Sequence, residues 1–150
     1  MFDTVVLAAE SIFINPEIIK HVGKSESSTY LDKSTGELKE VVKLTDNRIP
    51  FIKYNVGYHY LRLQLSIPKF LFGNNITLIK ATDIDAFFTE LQQEISHLLG
   101  IKIEDSQWKV QRLDLSWNFN VGNKVQDYIK QISNQRASRM NTITLFDNAD

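Results

Sequence analysis

The chain has 150 residues, 43% hydrophobic and 23% charged, with 17 basic and 18 acidic side chains and a net charge of −1. That length suits one domain over residues 1–150 with a sizeable core, while the near-neutral balance excludes a global attraction to nucleic acid, so any such binding must come from local patterning. Zero cysteines exclude disulfides and thiolate metal centres and fit a reducing cytoplasm, and no apolar run approaches the roughly 20 residues of a membrane-spanning helix.

The first strand is expected over Phe2–Ala8. With acids at Asp3 and Glu10 and no basic leader, this start does not read as a signal peptide. Pro16 suits the first position of a short helix that runs to about Val22, ahead of Gly23. Residues 27–44 read as a hairpin around the turn Lys33-Ser34-Thr35-Gly36, which either extends the sheet or folds away from it. "PFIKYNV" and "YHYLRLQLSI", divided at Gly57, form a second antiparallel pair. In its second member His59, Leu61, Leu63, Leu65 and Ile67 share one face, and Tyr58, Tyr60, Arg62, Gln64 and Ser66 the other. Gly73-Asn74-Asn75 supplies a turn able to accept positive φ.

Residues 82–99 carry the clearest helical pattern. Ile84, Phe87, Phe88, Leu91, Ile95 and Leu98 fall at helical spacing, Thr82 with Asp85 makes a capping-box-like start, and Gly100 sits at the stop. "VQRLDLSWNF", residues 110–119, is a strand with Leu113, Leu115, Trp117 and Phe119 on one face and Arg112, Asp114, Ser116 and Asn118 on the other. A second helix over about 123–136 gathers Val125, Tyr128, Ile129 and Ile132 on one side, where Tyr128 reads as a packing residue and not as a nucleophile. A last strand is expected at 141–146, "NTITLF".

From residue 50 the order is strand, strand, helix, strand, helix, strand. The expected fold is α+β: a central antiparallel sheet with two main helices on one face, covering the aliphatic side chains. The other face is left open, and two strands send Tyr58, Tyr60, Arg62, Gln64, Arg112, Asp114, Ser116 and Asn118 toward it. Aromatic rings for base stacking beside cations for phosphate are the parts of a single-stranded nucleic-acid platform; the bland alternative is a solvated sheet face. Asp114 is either the partner of Arg112 in a surface ion pair or one oxygen ligand for Mg²⁺ or Mn²⁺. From Ser106 to Phe146 six basic residues face two acids. His21, His59 and His97 are scattered, and no Walker, dinucleotide, G-x-S-x-G or H-E-x-x-H motif occurs.

Three segments together resemble the replication initiators of filamentous phages and related plasmids, the gene II protein family. "MFDTVVL" resembles its opening strand, "LSIPKFLFGNN" followed by "TDIDAF" its Ser–Lys–Leu–Gly–Asn segment running into the long helix, and "VQRLDLSWNF" its Arg-hydrophobic-Asp strand. The resemblance implies rolling-circle initiation and a Rep/HUH-like fold with a ferredoxin-like core. It also implies binding of origin DNA and nicking of one strand by a tyrosine with help from a divalent metal. Replication proteins would be further partners, and the setting a phage or plasmid with the protein in the cytoplasm. In the HUH group two metal-binding histidines occupy alternate positions of a central strand; here those positions are Asp114 and Ser116. The family's candidate tyrosine lies downstream of the segment resembling "MNTITLF", so no catalytic residue is expected within this chain, which resembles the N-terminal portion of an initiator. The alternatives are a non-enzymatic DNA- or partner-binding module of the same descent and a plain α+β interaction domain.

Overall fold

Side chains that alternate between apolar and polar commit a segment to a strand with one buried and one wet face, and this chain repeats the pattern along most of its first half. The computed structural model describes residues 2–22, 24–116 and 122–134, the last three by backbone alone. Its strands are β1 (Phe2–Ala9), β2 (Lys24–Leu31), β3 (Leu38–Thr45), β4 (Phe51–Asn55), β5 (Tyr60–Ser66) and β6 (Lys109–Leu115). Its helices are α1 (Pro16–His21), α2 (Ile67–Phe72), α3 (Asp83–Leu99) and α4 (Val125–Asn134). The chain divides into two compact units, residues 1–117 and 118–150; α4 belongs to the second, everything else named to the first.

The first unit is α+β, built on one six-stranded sheet in the order β2-β3-β4-β5-β1-β6 with every neighbour antiparallel. The β2–β3 hairpin therefore extends the sheet, and β1 lies between β5 and β6. Register lines up the core in rows that cross the strands. Leu7, Leu63, Ile52 and Leu44 form one row, and Ala9, Leu61, Tyr54 and Val42 the next; all eight are buried. Against them α3 lays Phe87, Leu91, Ile95, Leu98 and Leu99, joined by Ile19 of α1 and Phe70 of α2. Phe70 meets Phe87 edge-to-face at 5.7 Å between ring centroids.

Two polar anchors tie loops to this core. The Tyr54 hydroxyl donates to the Ile12 carbonyl at 2.9 Å and accepts from the Ile14 N–H at 3.2 Å, satisfying backbone groups that burial would otherwise orphan. Arg48, in the β3–β4 connection, donates to Glu94 at 2.8 Å, to the Phe70 carbonyl at 3.0 Å and to Glu90, and its guanidinium stacks 4.1 Å from the Phe70 ring centroid.

Several expectations need correction. The stretch after β5 turns at once into α2, because Pro68 pre-sets a helical φ in its first turn and Gly73, at φ 72°, closes it. Thr82 does not cap α3: it keeps helical dihedrals and makes no cap bond, and the Asp83 carboxylate accepts from the Lys80 N–H at 2.8 Å instead. Within the first unit the covered face is lined by α1, α2 and α3. In α4, which belongs to the second unit, Val125, Tyr128 and Ile129 are exposed. The expected strand at 141–146, and residues 117–119 of the strand at 110–119, lie outside the described residues. Among those described, no helix is long and apolar enough to cross a membrane.

Candidate nucleic-acid interface

The face turned away from the helices is organised by the same register. One residue along from the Leu7 row, a second row crosses the strands as Glu26, Lys43, Lys53, Arg62, Ala8 and Lys109. Directly opposed residues on one face of a sheet have Cβ atoms about 5 Å apart, so Lys43, Lys53 and Arg62 stack three positive charges side by side across β3, β4 and β5. None of the three is in an ion pair among the described residues. The Nε of Arg62 is buried and finds no hydrogen-bond partner there, an uncommon state for a buried donor. Farther along the row, Lys109 pairs with Glu10 at 2.7 Å.

The next row brings Phe51, Gln64, Val6 and Arg112 together. On the other side of the basic row, Val41, Asn55 and Tyr60 are aligned. Phe51 and Tyr60 thus flank the cations, each half-buried, with ring surface where bases could stack. Val6 and Ala8 are buried although they face this side; register sets them between Gln64 and Arg112 and between Arg62 and Lys109, whose long stems can shade small neighbours.

Arg62 and Arg112 share the face, as expected. Val6 and Ala8, two residues apart on β1, oppose Arg112 and Arg62 respectively. The two arginines do not adjoin, because β1 intervenes, and two strand spacings with a two-residue offset separate them by about 12 Å. Gln64 lies beside Arg62, half-buried. Tyr60 accepts from the Gln111 amide at 2.5 Å. That contact follows from a register shift in β6 between its Arg112 and Val110 pairings, which leaves Gln111 unopposed.

Tyr58 departs from expectation. The turn at 56–59 takes in Gly57 and a left-handed His59 at φ 49°, so β5 begins only at Tyr60. Tyr58 instead donates its hydroxyl to Asp32, and the Lys39 ammonium sits 3.6 Å from its ring centroid. Lys39 also pairs with Asp32 at 2.7 Å, both side chains being nearly buried. The Lys39 ammonium, followed by Ser34 and Tyr58, holds the Asp32 carboxyl well below the usual carboxylate range, and Asp32 in turn raises Lys39. This cluster locks the hairpin base to the β4–β5 turn and leaves one face of the Tyr58 ring already covered.

Asp114 lies on the open face, but its two oxygens accept from Arg112 Nε at 2.9 Å and Nη2 at 2.7 Å. The ion-pair alternative is the one the geometry realises. A hard divalent cation needs several oxygen ligands, and among the described residues no group of three His, Cys, Asp or Glu side chains is placed to hold a metal. One carboxylate forked by an arginine does not fit that requirement. Ser116 follows β6 and is half-buried; Asn118 lies outside the described residues.

Lys43 and Lys53 escaped the reading of the sequence. Alternation in "EVVKLT" and "PFIKYN" marks each as pointing away from the core, but only pairing across β3, β4 and β5 makes them neighbours of Arg62. No protein-family model, curated protein or solved structure matches the chain.

Proposed function

We propose that the open face binds single-stranded nucleic acid through its phosphates, and that the chain is the DNA-binding portion of a rolling-circle replication initiator. The observation that carries the binding is the row Lys43, Lys53 and Arg62, three opposed cations of which none is in an ion pair among the described residues although Glu26 faces Lys43 at the row's end, together with one buried donor lacking a partner. Like charges directly opposite each other cost a sheet stability; an anion laid across them removes that repulsion. The flanking Phe51 and Tyr60 suit unpaired bases, whose faces are accessible for stacking. The initiator half of the reading rests on the three segments that resemble the gene II protein family.

The test is fluorescence anisotropy with a labelled single-stranded oligonucleotide over a salt series. Three phosphate contacts give a slope of log K against log salt near −2 for a single strand, so affinity falls about 20-fold between roughly 50 and 200 mM. Lys53→Ala with Arg62→Ala leaves one contact and a slope near −0.7. Absence of binding by the parent chain at the low-salt end, or a slope that the double substitution leaves unchanged, refutes the proposal. Equal affinity for a duplex of the same sequence refutes the single-strand preference. A short origin-like hairpin beside a random oligonucleotide separates origin recognition from general binding.

A further inference from the structure

Among the described residues β6 ends the sheet: one edge pairs with β1 and the other carries no ladder. An unpaired edge is a template for another strand; this one is guarded by the irregular pairing at Gln111 and by Lys109, while the stretch Arg112–Leu115 beyond it is left to pair. Its side chains toward the helix side are apolar and open, with Val110 59% exposed, Leu113 42% and Leu115 53%. On the opposite face stand Arg112 and Asp114, joined by their own fork. The outer strand at the other end, β2, reads Lys-Ser-Glu-Ser-Ser-Thr-Tyr-Leu and is mostly polar on both faces, so the two edges are not equivalent.

We propose that β6 pairs with β6 of a second copy of this chain, antiparallel about a two-fold axis through Leu113. The argument is self-complementarity. Opposed residues in an antiparallel pair share a face, and a two-fold pairing centred on Leu113 sets Leu113 against the partner's Leu113. The same register sets Arg112 against the partner's Asp114 and Asp114 against the partner's Arg112. Leucine meets leucine on one face, and each charge meets its opposite on the other. A centre at Arg112 or at Asp114 opposes like charges, and a centre between residues sets leucines against charges. The sequence Arg-Leu-Asp is thus an electrostatic palindrome that favours this register over the others centred within it, the isologous arrangement expected of a two-fold contact. Because the axis stands normal to the sheet, both helical layers fall on one side and both open faces on the other, giving a continuous sheet of twelve strands.

The test is sedimentation velocity of the full chain over a concentration series, without nucleic acid, so its outcome is independent of the binding proposal. The parent is expected to move from 17.3 kDa toward twice that mass as concentration rises. Arg112→Asp sets acids against acids across the axis and should raise the dimer dissociation constant at least about tenfold; Asp114→Arg should do the same with cations. The double exchange, Arg112→Asp with Asp114→Arg, restores complementarity in the same register and should return the parent affinity. Arg112 is exposed and Asp114 half-buried, and circular dichroism melts check that the variants remain folded. A parent that stays monomeric throughout, as when another stretch of the same chain takes this edge, overturns the proposal. So does a dimer indifferent to the single reversals, or one that the double exchange fails to restore.

Discussion

Lys53→Glu is expected to stabilise the fold while weakening nucleic-acid binding, and the size of both effects follows from register. Lys53 opposes Lys43 on one side and Arg62 on the other, so one substitution turns two repulsive cross-strand pairs into two attractive ones. Cross-strand charge pairs contribute roughly 0.2–1 kcal/mol each, and lysine and glutamate are similarly disfavoured in strands, so the intrinsic change nearly cancels. The net gain is about 1 kcal/mol, a rise in Tm of roughly 2–4 °C for a chain of this length. Salt provides the control: at about 1 M the screening length shrinks to roughly 3 Å, and most of the gain should vanish. Thermal and urea unfolding of parent and variant at low and high salt measure it, with oligonucleotide binding followed in parallel. A variant less stable than the parent at low salt, or equally stabilised at both salt concentrations, refutes the claim that cross-strand repulsion at Lys53 is built into this face.

Tyr54→Phe deletes the hydroxyl that bridges Ile12 and Ile14 and should cost about 1–3 kcal/mol, since two buried backbone groups lose their partner; urea denaturation showing a loss under about 0.5 kcal/mol contradicts it. Leu91→Ala opens a cavity where α3 meets the sheet, at a fully buried position, and should cost about 2–5 kcal/mol by the same measurement. Asp32 titrates lower in the folded chain than the roughly 3.9 of an unfolded aspartate. It therefore adds stability above about pH 4 that is lost as pH falls toward its folded pKa. Asp32→Asn should lower stability at neutral pH and flatten the acid limb of a stability–pH profile; an unchanged acid limb argues against the Lys39 pairing as its source.

Much of the local structure was legible. Alternation over 60–66 and 112–115 assigns the faces of β5 and β6 correctly, because side chains two apart on a strand must share a face. The spacing of Phe87, Leu91, Ile95 and Leu98 marks α3, and Lys33-Ser34-Thr35-Gly36 marks the hairpin turn. Tyr58 was misread because its alternation continues that of β5; a left-handed His59 breaks the strand, and nothing local announces it. The short helix α2 was missed because Ile-Pro-Lys-Phe-Leu-Phe is too brief to show a period.

Sequence by itself determined which side chains turn toward the core and which turn away, a matter of nearest neighbours along the chain. Only the tertiary structure decided which outward side chains become neighbours of one another. The order β2-β3-β4-β5-β1-β6 gathers Lys43, Lys53 and Arg62 into one row and inserts β1 between Arg62 and Arg112. Strand order and register are set by how distant segments jointly bury their apolar faces against α1, α2 and α3, and a preference shared among segments tens of residues apart leaves no trace in any one of them.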